Sequence, residues 1–372
     1  MVDVETVLQL GAGRFLRAFV DRFVQQANDA GQQVGKIVVV QTTAGQRAEL
    51  LRPEGYSVLV RGYENGEIVE RVDPVKSIAR GLLAVEQWEQ VVQVATTHEL
   101  KYIVTNATEA GYTLEPNENQ NAKPPLSMPA KLTQLLWYRY RAGEGELVLL
   151  PCELIEQNAS RLLELVTQQA KLWKLPEQFI GWITNECVWL NNLVDCIVTN
   201  VPAEHPLLAK DPAALHAEPY ALWAIEQRDN MPELFTHPSI RVVEDLSPFY
   251  LRKVRILNGL HSAMTAKFLP AGFKLVREVL ANKEADEWVR GVLWEEIVPT
   301  LTPQVAEVKE FAEAVYDRLR NPFIDHKLSD IALNHAAKVQ VRLEPTRQLF
   351  QQLFGKEPPR LSEIMDWRPE VG

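Results

Sequence analysis

A short apolar run, VETVLQL, ends at Gly11 and is followed by GAGRFLRAFVDRFVQQAND, in which Phe15, Ala18, Phe19 and Phe23 recur at helical spacing. This order predicts a strand, a glycine turn and a helix. KIVVVQT (36–42) predicts a second buried strand, so the opening reads as a βαβ unit, the seed of a parallel, doubly wound sheet. YSVLVRGYENGEIVERV predicts two strands joined through Asn65 and Gly66, a dipeptide that favours a tight hairpin turn. KYIVTNATEAGY (101–112), ELVLLPCEL (146–154) and FIGWITN (179–185) predict further strands, with helix-like stretches such as PAKLTQLLWYRYR and ASRLLELVTQQAKLW between them.

A segment rich in Pro, Ala and His (202–219) leads to one more strand, SIRVVEDL (239–246), and after Pro248 the pattern turns to amphipathic helices. The expected architecture is α/β: a Rossmann-like doubly wound sheet over residues 1–246, then a mostly α-helical domain over 247–372. The sequence contains no internal repeat or low-complexity tract.

Composition narrows the partners. With 372 residues, 46% hydrophobic and 24% charged, the chain can bury two cores. Its 39 basic and 49 acidic side chains leave a net charge of -10, which disfavours nucleic acid or an anionic membrane and favours a small molecule. Cys152, Cys187 and Cys196 have neither the number nor the spacing of a disulfide framework or a zinc cage, as expected of reduced thiols in the cytoplasm. The reading finds no signal peptide before the first strand and no membrane-spanning run, which supports the same expectation. The seven histidines are scattered without ligand spacing, so no metal is expected. Oligomeric state stays open.

Gly11, Ala12 and Gly13, with Arg14, Phe15 and Leu16 opening the helix, form the candidate pyrophosphate turn of a dinucleotide. The competing reading is a tight turn with no ligand. Leu16 stands where the usual fingerprint has a third glycine, which predicts wider packing of helix on strand. The second strand ends in Gln41, Thr42 and Thr43, with no acid to read a ribose hydroxyl, and Arg47 lies close enough in sequence to meet a phosphate. NAD is the expected cofactor and NADP stays open. Thr42 and Asn106 complete the candidate cofactor contacts. Glu109, at the C-terminal end of its strand, is a candidate substrate contact, whereas Glu153 and Glu156 read as helix N-terminal acids.

KVRILNGLH (253–261) sets Lys253, Asn258 and His261 into an otherwise apolar helix, where each is expensive to bury. On an α-helix the three fall within an arc of about 140° and a rise of about 12 Å, which suits an open-chain substrate. In hydride transfer from a secondary alcohol, a lysine in apolar surroundings takes the proton and an amide steadies the developing oxyanion. Arg252 and Arg255 would add like-charge pressure on the lysine. The competing reading has Lys253 snorkelling, Asn258 and Gly259 ending the helix, and His261 as a core histidine.

These residues, with GAGRFLRAFVDR, VTNATEAGY, LPCELIEQNA, LNNLVDCIV, EPYALWAIE and NPFIDHKLSDIALNHAAKVQVR in the same order, resemble the polyol-specific long-chain dehydrogenases. That is the mannitol dehydrogenase family, and FLRAFVD and PCELIEQN are most similar to its tagaturonate reductase (altronate oxidoreductase) branch. The resemblance implies zinc-independent hydride transfer with Lys253 as general acid/base. It implies Asn258 and Asn191 as carbonyl-polarising amides, His261 on a substrate hydroxyl and Lys338 on a carboxylate or phosphate. Cys196 and Ala159 stand where the family usually has arginine and glycine. The expected reaction interconverts a keto sugar acid and its hydroxy form. The alternatives are a mannitol or mannitol-1-phosphate type polyol dehydrogenase and a non-catalytic dinucleotide sensor.

Overall fold

The computed structural model describes residues 3–43, 45–64, 66–107, 111–115, 117–229 and 231–369. Contacts divide the chain into two compact units. The first comprises the chain up to Val60, Arg71–Ala217 and Ala221–Leu246; the second comprises Arg61–Glu70, Glu218–Tyr220 and the chain from Ser247 onward.

In the first unit, β1 (Glu5–Leu10) leads through the glycine turn to α1 (Arg14–Ala18) and α2 (Val20–Asp29), and then β2 (Lys36–Gln41). The expected single helix is two, because Phe19 at φ -118° and ψ -80° breaks it. After β3 (Tyr56–Glu64) and β4 (Glu67–Val75), the expected hairpin pair, come β5 (Ile78–Leu83), α3 (Ala84–Ala95), β6 (Tyr102–Thr105), α4 (Met128–Ala142), β7 (Val148–Pro151) and α5 (Asn158–Leu172). Asn65, named as a turn residue, lies outside the described residues. FIGWITN is not a strand: it lies in α6 (Glu177–Asn185), and β8 follows at Val188–Trp189. Its buried Phe179, Ile180, Trp182 and Ile183 repeat at the three-to-four spacing of a helix stripe.

The main sheet has six strands in the order β5-β2-β1-β6-β7-β8, and its paired neighbours run parallel. Successive strands step one way from β1 and then the other, so the order reverses between β1 and β6. Ligands bind at such switch points, outside the strands' C-terminal ends. Both faces are covered: Leu8, Leu10, Val38, Val40, Ile103 and Leu149 belong to one apolar cluster, and Val7, Ile37, Val39, Val104, Val148 and Leu150 to another. This two-sided burial is why the strands read as continuous apolar runs. Short strands after β8, including Asn192–Asp195, Leu215–Ala217 and Leu222–Glu226, build two small sheets with β3, β4 and Ile240–Val243.

The second unit is helical around a core that includes Ile256, Leu260, Val292, Ile297, Val315 and Leu343. Asn321 Nδ2 donates to Arg61 O at 2.9 Å, and the Arg61 guanidinium lies 4.0 Å from the Phe323 ring centroid. These contacts fasten the Arg61–Glu70 segment within this unit. Among the described residues, no helix is long and apolar enough to cross a membrane.

Candidate active site

The glycine turn sits at the end of β1, at the switch point. Gly11 has φ +142°, and a Cβ there would stand 3.4 Å from Asn106 O and 3.5 Å from Leu16 Cδ1. Only glycine adopts this conformation without strain. A Cβ on Gly13, by contrast, would meet no protein atom within 4 Å, so the backbone there is open to a close-approaching ligand. Gly11 N donates to Val40 O at 2.9 Å and Gln9 Nε2 to Gly11 O at 3.1 Å, which hold the turn on the sheet. These features fit a dinucleotide pyrophosphate. Ala12 and Leu16 are buried beneath the turn, Arg14 is exposed and Phe15 half-buried.

Thr42 follows β2 half-buried, and Gln41 is spent on Thr43 O and Ala48 N, so no acid stands among residues 41–43. Arg47 is exposed on the next short helix. Asn106 Nδ2 donates to Cys152 O at 2.7 Å, linking the ends of β6 and β7. Glu109 lies outside the described residues.

Glu153 is no helix N-terminal acid, because α5 begins only at Asn158. It is buried and accepts from Thr105 Oγ1, Ala107 N and Tyr112 Oη, each at 2.8 Å. Burial pushes its pKa up, against these three donors. Its partners come from another strand, which local reading cannot supply. Glu156 is exposed in the turn before α5.

Asn191 is buried, with both amide hydrogens committed: Nδ2 donates to Ser160 Oγ at 3.0 Å and Glu226 Oε2 at 2.9 Å. Its Oδ1 accepts from Ser160 N at 2.9 Å. Ser160 and Glu226 were not singled out by the sequence. Ala159 is fully buried beside Asn158, and Cys196 is half-buried and free.

In the second unit, Lys253–Asn258 form a π-helix that passes directly into an α-helix, Gly259–Phe268. Gly259 has φ -60°, so the helix does not end at Asn258, contrary to the helix-end reading. The i→i+5 bonding of a π-turn brings residues five apart onto one side, so the arc computed for an α-helix is too wide; single π-turns are frequent at functional sites. Lys253 is buried and Asn258 half-buried. Arg252 and Arg255, adjacent in sequence, are engaged elsewhere: Arg252 with Glu307 at 3.0 Å and Arg255 with Thr346 Oγ1 at 3.1 Å.

His261 is 5% exposed, and its Nε2 has no hydrogen-bond partner among the described residues. Its ring meets His326 edge to face, with centroids 4.7 Å apart at 68°. Burial, then the charges of His326, Arg342, Arg318 and Lys338, hold its pKa well below the ordinary value. Lys338 is half-buried rather than a plain surface lysine, and its Nζ donates to Ile331 O at 2.8 Å. His326 lay within a quoted motif, but its pairing with His261 has no local signature. Among the described residues, no group of three His, Cys, Asp or Glu side chains stands ready for a metal.

The mannitol dehydrogenase Rossmann domain matches residues 5–235, and the mannitol dehydrogenase C-terminal domain matches 245–357. The altronate oxidoreductase of Halalkalibacterium halodurans is 37% identical over 96% of this chain and 73% of its own length. That of Bacillus subtilis is 35% identical over 96% of this chain and 77% of its own. Pseudomonas fluorescens mannitol 2-dehydrogenase, solved with NAD and D-mannitol, shares the fold with a TM-score of 0.81 at 19% identity, over 97% of this chain and 77% of that one. A D-sorbitol dehydrogenase in substrate-free form gives a TM-score of 0.80 at 22% identity over 97% of this chain and 79% of that one. The chain is a member of the mannitol dehydrogenase family.

Proposed function

We propose that the chain is an NAD-dependent oxidoreductase that interconverts a keto sugar acid of the tagaturonate type with its hydroxy form, altronate. The observation that carries the choice of substrate is the kinship with altronate oxidoreductases over nearly the whole chain. The first unit is the dinucleotide-binding domain, with contacts from Gly11, Ala12, Gly13, Arg14, Phe15, Leu16, Thr42 and Asn106. The second unit is the substrate and catalytic domain. The three free cysteines suit a cytoplasmic enzyme.

NAD, when bound, accepts or supplies the hydride. Lys253, buried on the π-turn, takes the proton from the substrate hydroxyl in oxidation and returns it in reduction. Asn258, one π-turn on, donates its amide to the same oxygen and steadies its developing charge. Asn191 serves as a second amide donor only by releasing Ser160 or Glu226, since both of its hydrogens are committed. His261, neutral, holds a neighbouring hydroxyl through its unpartnered Nε2. Lys338 meets the anionic end of the substrate.

The test is oxidation of NADH and NADPH by the purified protein with tagaturonate, fructuronate, fructose and fructose 6-phosphate. Turnover with a keto acid is the expected result. Turnover with fructose or its phosphate alone moves the chain to the mannitol branch of the family. Tight NADH binding without turnover of any of the four makes it a sensor.

A further inference from the structure

We propose that His326 is a substrate-contacting residue that selects a carboxylate-bearing sugar over a neutral one, donating from Nδ1 to the carboxylate. The inference rests on the sugar-acid reading above and names the residue that would enforce it. Its starting point is a pair of unmet atoms: His261 Nε2 and His326 Nδ1 are both buried without a hydrogen-bond partner among the described residues, on rings whose centroids are 4.7 Å apart. A buried polar nitrogen left unpaired costs free energy that a packed core normally avoids. Two such atoms on touching rings mark a place where an outside molecule supplies the partners.

The charge around the pair says which molecule. Lys338 acts electrostatically on both rings, and Arg342 and Arg318 act on His261. Arg318 is matched by Glu218, with Arg318 Nη2 and Glu218 Oε1 2.7 Å apart. Lys338 donates to a backbone carbonyl and Arg342 to Ser262 Oγ at 3.3 Å, both neutral acceptors. Asp330 is the acid that acts on His326. A polyol has no use for this excess of positive charge; a carboxylate balances it and accepts the Nδ1 hydrogen of a neutral imidazole. Burial holds His326 below its ordinary pKa, which keeps that imidazole neutral.

The ring is also held in place by its backbone. Val276 N donates to His326 O at 3.0 Å, Leu328 N donates to Lys274 O at 2.9 Å, and Leu275 and Lys327 form an antiparallel bridge. A residue fixed on both sides in this way presents its donor without an ordering cost at binding.

The experiment compares wild type, His326→Phe and His326→Asn, each the full chain, on tagaturonate and on the neutral ketose that lacks its carboxylate. Phenylalanine keeps the ring against His261 and removes the donor; asparagine returns an N–H close to the place of Nδ1. The expected result for His326→Phe is a rise of about 10- to 100-fold in KM for tagaturonate, with kcat little changed and any turnover of the neutral ketose unaffected. His326→Asn recovers most of the loss, and NADH binding by fluorescence titration is the same in all three. Equal losses on both substrates, a wild-type KM in His326→Phe, or an asparagine variant as poor as the phenylalanine one overturns the assignment of His326 while leaving the sugar-acid reading standing. Wild-type protein that turns over no keto acid overturns that reading, and this inference with it.

Discussion

Lys253 and Asn258 open and close one six-residue π-helix, so an ammonium and an amide stand a single turn apart on a helix that continues unbroken to Phe268. If Lys253 moves the proton, a side chain of similar length without a titratable group removes the step and little else. Lys253→Met is expected to lower kcat by at least about a hundredfold, within the usual range for a general acid/base. NADH binding, followed by nicotinamide fluorescence, is expected to be unchanged. Turnover at the wild-type rate would remove Lys253 from the chemistry.

The two asparagines are expected to fail differently. Asn258→Ala removes an oxyanion donor and should cost about a hundredfold in kcat with little change in melting temperature. Asn191 is buried and holds Glu226, Ser160 Oγ and Ser160 N, so Asn191→Ala strands polar groups and should cost roughly 2 kcal/mol of stability. Urea unfolding of both variants beside their kcat values separates the two losses. A wild-type stability for Asn191→Ala would show that its three bonds are dispensable.

The parallel sheet was legible because strands buried on both faces must be apolar throughout, as KIVVVQ is in β2. The glycine turn was legible because Gly11 needs a positive φ. FIGWITN misled because four apolar residues in a short run satisfy a strand and a helix alike, and only packing decides. The π-turn had no signature, since no residue type distinguishes i+5 from i+4 bonding. Glu153 and His326 escaped for a common reason: what defines each is a partner from a distant element, Thr105 and Tyr112 for one and His261 for the other.

Arg318 and Glu218 form a two-point ion pair at 2.9 and 2.7 Å, with side chains 5% and 1% exposed, and the guanidinium lies 4.0 Å from the Tyr220 ring centroid. Removing one partner leaves a buried charge without its counter-ion. Arg318→Met is therefore expected to destabilise the protein by roughly 3–5 kcal/mol, far more than loss of a surface pair. Chemical denaturation with Lys123→Met as control checks this, because Lys123 and Glu89 form an exposed pair. Equal, small effects of the two substitutions would place the Arg318 pair among the dispensable ones.

Tyr56 has one hydroxyl hydrogen and two acceptors, Arg17 O at 2.7 Å and Asp21 Oδ2 at 2.8 Å, while Asp21 Oδ1 has no donor among the described residues. A proton on Asp21 resolves the shortage, since the acid can donate to Tyr56 while Tyr56 donates to Arg17 O. Burial, opposed by Tyr56, Arg17 and Gln9, raises the pKa of Asp21 from 3.8 to about 7. Between those values the folded protein holds a proton that the unfolded chain has released. Stability must then fall as pH rises from about 4 to about 7 and level off above, by at most about 1.4 kcal/mol per pH unit from this group. Asp21→Asn keeps an acceptor for Tyr56, supplies permanent N–H donors and does not titrate. The difference in unfolding free energy between variant and wild type should therefore swing toward the variant as pH rises from 4.5 to 7.5, by up to about 4 kcal/mol. Urea unfolding at intervals across that range checks it, and parallel curves would show that Asp21 keeps one charge state throughout.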